Sequence, residues 1–347
     1  MEVLYNSNQP VKLKNSDLFD KFDLLVPESD EIIMTSGYVS ADSTIFIKNN
    51  IDKLPNMHIL AGMHHYDGFT KSQYSAYNAL SRELIDKEKG NAYICQAFPF
   101  HGKVYTFLKN SIPFAAIVGS SNMSHLTSFK SRIFEVDIFI DDLKTTAELY
   151  SMQMEVIAKA SIGMDRYNNP NIIDRNNLMD HIDDVDKVSD IEYAHLQSTL
   201  TKRVFRLELK CENKSNMNVF FGKGRKNTKT GLTRPRPWYE VEIIVSNKIT
   251  TQSGYPYETN FTVYTDDKYK FECNTSGDYS KNFRTKGDLK TLGSWIKGRL
   301  EDKGILNVGD FVTEQMLQKY GQNFIELTAT NDPDVWHIDF SGTKGII

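Results

Sequence analysis

Residues 101–122 read HGKVYTFLKNSIPFAAIVGSSN, two apolar runs with reactive side chains at their ends. The first run, 104–108, predicts a β-strand. Extended back to residue 101, it sets His101 and Lys103 on one face, because residues two apart on a strand point the same way. The second run, 112–118, predicts a neighbouring strand that delivers Gly119, Ser120, Ser121 and Asn122 at its end. An imidazole, an ammonium and small hydrogen-bond donors converging on one point suit a phosphodiester. The histidine can attack phosphorus or move a proton, and the others can hold the non-bridging oxygens.

Outward from this stretch, 31–39, 57–63, 91–97 and 133–140 read as further strands. Residues 42–54, 70–86 and 141–160 read as helices, the last with Asp141 and Asp142 well placed at its N-terminus. Strands alternating with helices imply an α/β sandwich with a mixed sheet. Near residue 168 the chain turns acidic, with Asp174, Asp180, Asp183, Asp184, Asp186 and Asp190 in quick succession. Such composition reads as a linker, and a carboxylate run beside a basic domain could occupy a DNA groove until specific DNA displaces it. Beyond it, strands at 204–209, 239–245 and 261–264, Gly/Asn/Lys-rich loops and one helix at 289–300 predict a mostly-β domain. Trp238, Trp295 and Trp336 read as core. The expected division is 1–165, an acidic linker at 166–192, and 193–347, in keeping with two domains for 347 residues.

With 40% hydrophobic and 25% charged residues, the chain has the composition of a globular protein. No apolar run reaches the roughly 18 residues of a membrane span, and no signal-peptide pattern is seen. Cys95, Cys211 and Cys273 are scattered and odd in number, which suits a reducing cytoplasm and offers no zinc site. A net charge of −4 conceals an asymmetry: residues 203–300 hold 19 Lys and Arg against 10 Asp and Glu, +9, so the remainder carries −13. A basic block inside an acidic chain points to DNA more directly than the overall charge does.

His101-Gly102-Lys103 followed by Gly119-Ser120-Ser121-Asn122 resembles the phospholipase D superfamily signature, H-x-K then G-S/G-x-N. The position where that family usually has an aspartate is Leu108 here. This departure resembles the metal-independent restriction nucleases of the NgoFVII and BfiI type, whose site includes a glutamate on a following strand. The resemblance implies Glu135 for that role, with Asp137 second. The C-terminal half is similar to the B3-like DNA-recognition domains of the same nucleases, pseudobarrels that place two arms in the major groove. Phe221 to Arg225, Arg234 to Glu240, Thr265-Asp266-Asp267, a turn at 281–284 and Leu292-Gly293 carry that likeness.

Only His101 has a lysine two residues on; His58, His64, His65, His125, His181, His195 and His337 do not. One histidine cannot be both nucleophile and acid, so a second copy would supply the other half, and a homodimer with its site on the two-fold axis is expected. The resemblance implies a phosphohistidine on one His101, proton transfer by the other, and charge stabilisation by Lys103, Asn122 and, more weakly, Ser120, with Glu135 orienting the imidazole. Neither metal nor cofactor is expected. His64, His65 and Asp67 fall in a loop after a strand, and the 180–190 aspartates lack the glycine and terminal glutamate of a calcium loop. No phosphate-binding P-loop is present, so any ATP consumption would need a separate ATPase or helicase-like subunit.

Double-stranded DNA is the expected substrate. Arg225, Arg234 and Arg236 are the expected base readers; Lys223, Lys226 and Lys229 the phosphate contacts; Lys281, Asn282 and Arg284 a second arm. The resemblance also implies a cognate DNA methyltransferase. Two other readings stand beside this one: a DNA-binding module with an inactive or ATPase-dependent nuclease half, and a lipid phosphodiesterase. The single motif and the lack of a membrane segment weigh against the last.

Overall fold

The computed structural model describes residues 1–6, 15–127, 134–173, 179, 182, 184–226, 231, 233–234, 236–287 and 289–347. Contacts divide the chain into two units, Met1–Asp174 with Arg225–Arg234, and Arg175–Gly224 with Pro235–Ile347.

The first unit is an α/β/α sandwich. Strands β1 (Glu2–Tyr5), β2 (Glu31–Ser36), β3 (Asn56–Ala61), β4 (Gly90–Cys95), β5 (Val104–Lys109), β6 (Ile112–Gly119), β7 (Val136–Ile140) and β8 (Ser161–Gly163) form one sheet. Their order is β1-β7-β6-β5-β2-β3-β4-β8. The β2–β3 and β3–β4 pairs are parallel and the others antiparallel, so the sheet is mixed. Helices α1 (Leu18–Leu25), α2 (Ala41–Asn50) and α4 (Lys71–Asp86) cover one face, α5 (Leu143–Ala160) covers the other, and a single turn, α3 (His64–Asp67), follows β3. Strand alternation sorts the core: Ile32 and Met34 face α1, α2 and α4, whereas Ile33 faces α5. Thr70 and Gln73 cap α4 reciprocally, and Asp142 accepts from Thr145 N at 2.8 Å to start α5.

Two differences from the sequence reading bear on the site. His101, Gly102 and Lys103 precede β5 instead of belonging to it. The chain there is held by Gly62: Phe100 N donates to its carbonyl at 3.2 Å, and a Cβ on Gly62 would lie 1.9 Å from Phe100 O. Leu108 is fully buried against Ile33, Leu60, Ile157 and Ala160 under α5. A carboxylate there would sit in an apolar layer rather than beside His101.

The second unit is strand-rich. Strands β9 (Asp186–Lys187), β10 (Leu200–Glu208), β13 (Ile243–Ile244), β14 (Asn260–Thr265), β15 (Tyr269–Ser276), β16 (Asn282–Thr285), β17 (Phe324–Thr330) and β18 (Val335–Asp339) form a sheet of order β10-β17-β18-β14-β15-β16-β13, with β9 on β15. A two-stranded ribbon, β11 (Arg225–Lys226) with β12 (Thr233–Arg234), groups with the first unit. Helices α6 (Asp190–Thr199), α7 (Asn247–Thr250), α8 (Thr291–Asp302) and α9 (Glu314–Tyr320) complete it. Trp238, Trp295 and Trp336 are buried.

The strand expected at 239–245 shrinks to Ile243–Ile244. Trp238 Nε1 and Tyr239 OH instead donate to Glu301 of α8, at 3.1 and 3.0 Å, and Gly293 lets that helix approach the Tyr239 carbonyl. The acidic stretch is partly ordered too: Asp186 lies in β9, and Asp190 opens α6 with an ion pair to Lys268 at 2.7 Å. Asp174, Asp180 and Asp183 lie outside the described residues.

Candidate active site and DNA-contact segments

The centre forms where the C-terminal end of β2 meets the segments entering β5 and leaving β6. Beneath it, buried Gln153 of α5 donates to Ile33 O, Thr35 Oγ1 and Val104 O at 3.2, 3.2 and 2.9 Å, and accepts from Thr106 Oγ1 at 2.6 Å. One amide thereby ties the helix to both strands that carry the centre.

The 119–122 loop is fastened from three sides. Asn122 Oδ1 accepts from Ser36 Oγ at 3.2 Å and Tyr38 N at 3.1 Å, and Met123 N donates to Ser36 Oγ at 3.1 Å. Tyr105 OH donates to Ser121 O at 2.8 Å. Asp137, nearly fully buried on β7, takes Ser121 N at 3.0 Å and Ser121 Oγ at 2.6 Å. A Cβ on Gly119 would fall 2.1 Å from Asp137 Oδ1, which is why a glycine opens the motif. Both Asp137 oxygens are thus engaged in bracing the loop.

Gly37 brings the motif halves together. A Cβ there would lie 3.0 Å from His101 Cδ2 and 3.5 Å from Asn122 Oδ1, so the bare backbone is the floor on which both side chains rest. Lys103, 7% exposed, curls back to place Nζ 3.1 and 3.2 Å from the two ring nitrogens of His101 and 2.8 Å from its carbonyl. Burial pushes the Lys103 pKa below its ordinary value, against the opposing pull of the Glu135 charge. Tyr38 stands edge-on to His101, centroids 5.9 Å apart, with its hydroxyl on Asp67, an interaction that raises its pKa to about 12.

Glu135, also 7% exposed, accepts from Ser120 Oγ through Oε2, and its Oε1 lies 3.5 Å from His125 Nε2. Its neighbour is therefore His125, where the sequence reading had it orienting His101. The structure brings His101, Lys103 and Asn122 together, with Ser120 and Glu135 on the Lys103 side. Sequence reasoning missed Gly37, Tyr38 and His125; the last was passed over for lack of a lysine two residues on. His64 and His65 lie on a helical turn, not a loop. Buried His64 accepts from Val39 N at 3.1 Å and donates from Nδ1 to Gly68 O at 2.8 Å, a neutral tautomer committed to the backbone. Among the described residues, no three His, Cys, Asp or Glu side chains form a metal-sized group.

The DNA-contact candidates fall in four segments of the chain. Lys223 is exposed in the loop after the turn Asn216–Phe221. The ribbon pairs Arg225 with Arg234 and Lys226 with Thr233 in backbone register. Lys229 lies outside the described residues. Arg236 forks onto Glu240, with Nε 2.8 Å from Oε2, so its guanidinium already has an internal partner. On the second arm, Lys281 pairs with Asp278 at 3.4 Å, while Asn282 and Arg284 stand on one face of β16 opposite Ser276 and Asn274.

The two halves of the chain match two family profiles. Residues 13–169 match the NgoFVII restriction endonuclease N-terminal PLD domain, and residues 195–331 match the NgoFVII C-terminal B3-like DNA-binding domain. Among solved structures, Nuc, a phospholipase D family member from Salmonella typhimurium, is 13% identical with a TM-score of 0.35, covering 47% of this chain and 95% of that one. NucT from Helicobacter pylori is 16% identical with a TM-score of 0.31, covering 42% and 89%. Phosphatidylserine synthase from Haemophilus influenzae Rd KW20 is 12% identical with a TM-score of 0.34, covering 48% and 40%. No curated protein sequence matches this chain.

The chain therefore combines a phospholipase D-like nuclease domain with a B3-like DNA-binding domain. It belongs to the NgoFVII restriction endonuclease family.

Proposed function

We propose that the chain is a sequence-specific endodeoxyribonuclease that hydrolyses DNA without a metal ion, at a site shared by two copies. The observation that supports this most is the meeting of His101, Lys103 and Asn122 over Gly37. It provides a nucleophile and oxyanion donors in one place, with one such imidazole per chain.

In the first step an imidazole nitrogen of His101 attacks phosphorus, a P–N bond forms, and the P–O bond to the leaving nucleoside breaks. The leaving oxygen takes its proton from His101 of a second chain. Water then attacks the phosphohistidine, giving its proton to that second imidazole, and the P–N bond breaks to release His101 and a phosphomonoester. Lys103 and Asn122 hold the non-bridging oxygens as charge builds, with Ser120 at the rim. Glu135 supplies the negative charge that keeps buried Lys103 an ammonium.

Residues 1–165 serve as the nuclease and dimerisation domain, 193–347 as the recognition domain, and 166–192 as the connection. Lys223, Arg225, Lys226, Arg234, Lys281, Asn282 and Arg284 contact DNA. Arg236 contributes by shaping its loop through Glu240. A partner methyltransferase protects the host sites.

Plasmid cleavage in excess EDTA, wild type beside His101→Ala, tests the proposal. Discrete, mappable fragments from wild type alone are expected. Cleavage by the variant would remove His101 from the chemistry. Specific binding without cleavage by either protein would favour a DNA-binding role or a required ATPase subunit.

A further inference from the structure

We infer that His125 is a positioning residue of this centre, holding the Glu135 carboxylate against Ser120 and beside Lys103. The inference rests on the nuclease reading above and adds a second imidazole from the same chain. The turn Met123–Leu126, directly after Asn122, carries His125 towards the start of β7. Its side chain is 11% exposed, and its buried Nε2 lies 3.5 Å from Glu135 Oε1 with no hydrogen-bond partner among the described residues. A closure of a few tenths of an ångström makes Nε2–H···Oε1 a full hydrogen bond. Nδ1 lies 3.5 Å from Ser124 Oγ.

The rest of the carboxylate is already fixed. Oε2 takes the Ser120 hydroxyl, and Glu135 N donates to Asn6 Oδ1 at 2.8 Å. His125 is the third point of attachment. Held there, the Glu135 carboxylate lies beside Lys103, whose ammonium burial opposes. The described charged groups facing His125 are Glu135 and Asp137 at the start of β7, with Asp137 bound to Ser121; Lys103 reaches Glu135 from the β5 side.

The test compares full-length wild type, His125→Leu, His125→Gln, Glu135→Gln and the Leu/Gln double variant in single-turnover cleavage of a mapped site in EDTA, between about pH 5.5 and 8.5. The Leu variant is expected to lose about tenfold or more in rate with site-specific binding unchanged, as misplaced charge at a reaction centre does. Glutamine puts an N–H donor near the same point but cannot take a proton. It should restore most of the rate at neutral pH. The double variant should be no slower than Glu135→Gln alone, because coupled residues are not additive.

A wild-type rate for the Leu variant, or independent losses in the double variant, would overturn the inference. Imidazole NMR decides the contact without cleavage. The His125 ring signals should shift when Glu135 becomes glutamine, and unmoved signals sink the pairing even if the Leu variant fails to fold. If wild type cuts no DNA, it is the nuclease reading that fails, and the NMR result still stands.

Discussion

His64 is 2% exposed, stacks on Phe69 with centroids 4.2 Å apart, and uses both ring nitrogens on backbone partners. Burial lowers its pKa, and the same holds for His58 and His337. The unfolded chain therefore binds more protons than the folded one near pH 6. This contribution to stability is complete above about 6.5, the ordinary histidine value, and is lost as pH falls through the lower folded values. Denaturant unfolding should show lower stability at acid pH. His64→Phe, which keeps the stack, should cost about 1–3 kcal/mol at neutral pH and flatten the slope; an unchanged slope would remove His64 as a source. The same scale shows what residue identity conveys. His101, Lys103 and Asn122 were legible because their types and spacing form a recognisable set. His125 was not, because its value comes from the carboxylate ten residues on that the fold places against it.

At the scale of elements, alternation was a good guide within the sandwich, since each strand there must sort its side chains between two helical layers. Strand ends were harder. His101 and Lys103 leave the strand pattern because the chain crosses over Gly62, and the 239–240 segment leaves it because Trp238 and Tyr239 are bonded to α8. Glycines at such crossings look ordinary in sequence. Gly37, just beyond β2, is the one with a direct chemical consequence. A methyl in Gly37→Ala meets His101 Cδ2 at 3.0 Å and must push the ring aside by a few tenths of an ångström. The variant should fold and bind DNA like wild type yet cleave on the order of tenfold more slowly, since small misplacements of a reacting group are costly. Thermal melting beside single-turnover rates checks this. A parallel loss of stability and rate would mean that the glycine serves packing alone.

At the scale of the whole molecule, the proposed two-copy site makes its own prediction. Sedimentation should give a dimer at micromolar concentration. Heterodimers of wild type and differently tagged His101→Ala chains should retain less than about a tenth of the wild-type rate, because nucleophile and acid act as one unit. Half-activity would mean that each chain cuts independently. The sequence by itself determined the two-domain division of labour: an H-x-K and GSSN pair in an α/β half, a +9 basic block in a strand-rich half, and no membrane-length apolar run. Those properties follow from local pattern and composition, which need no long-range contact to be expressed. Only the tertiary structure decided that Leu108 belongs to the layer under α5, that Asp137 braces Ser121, that Arg236 is engaged by Glu240, and that Glu135 faces His125. Each of these depends on which strand ends meet in space, and that is set by sheet order and close backbone approach, neither of which leaves a periodic mark in the chain.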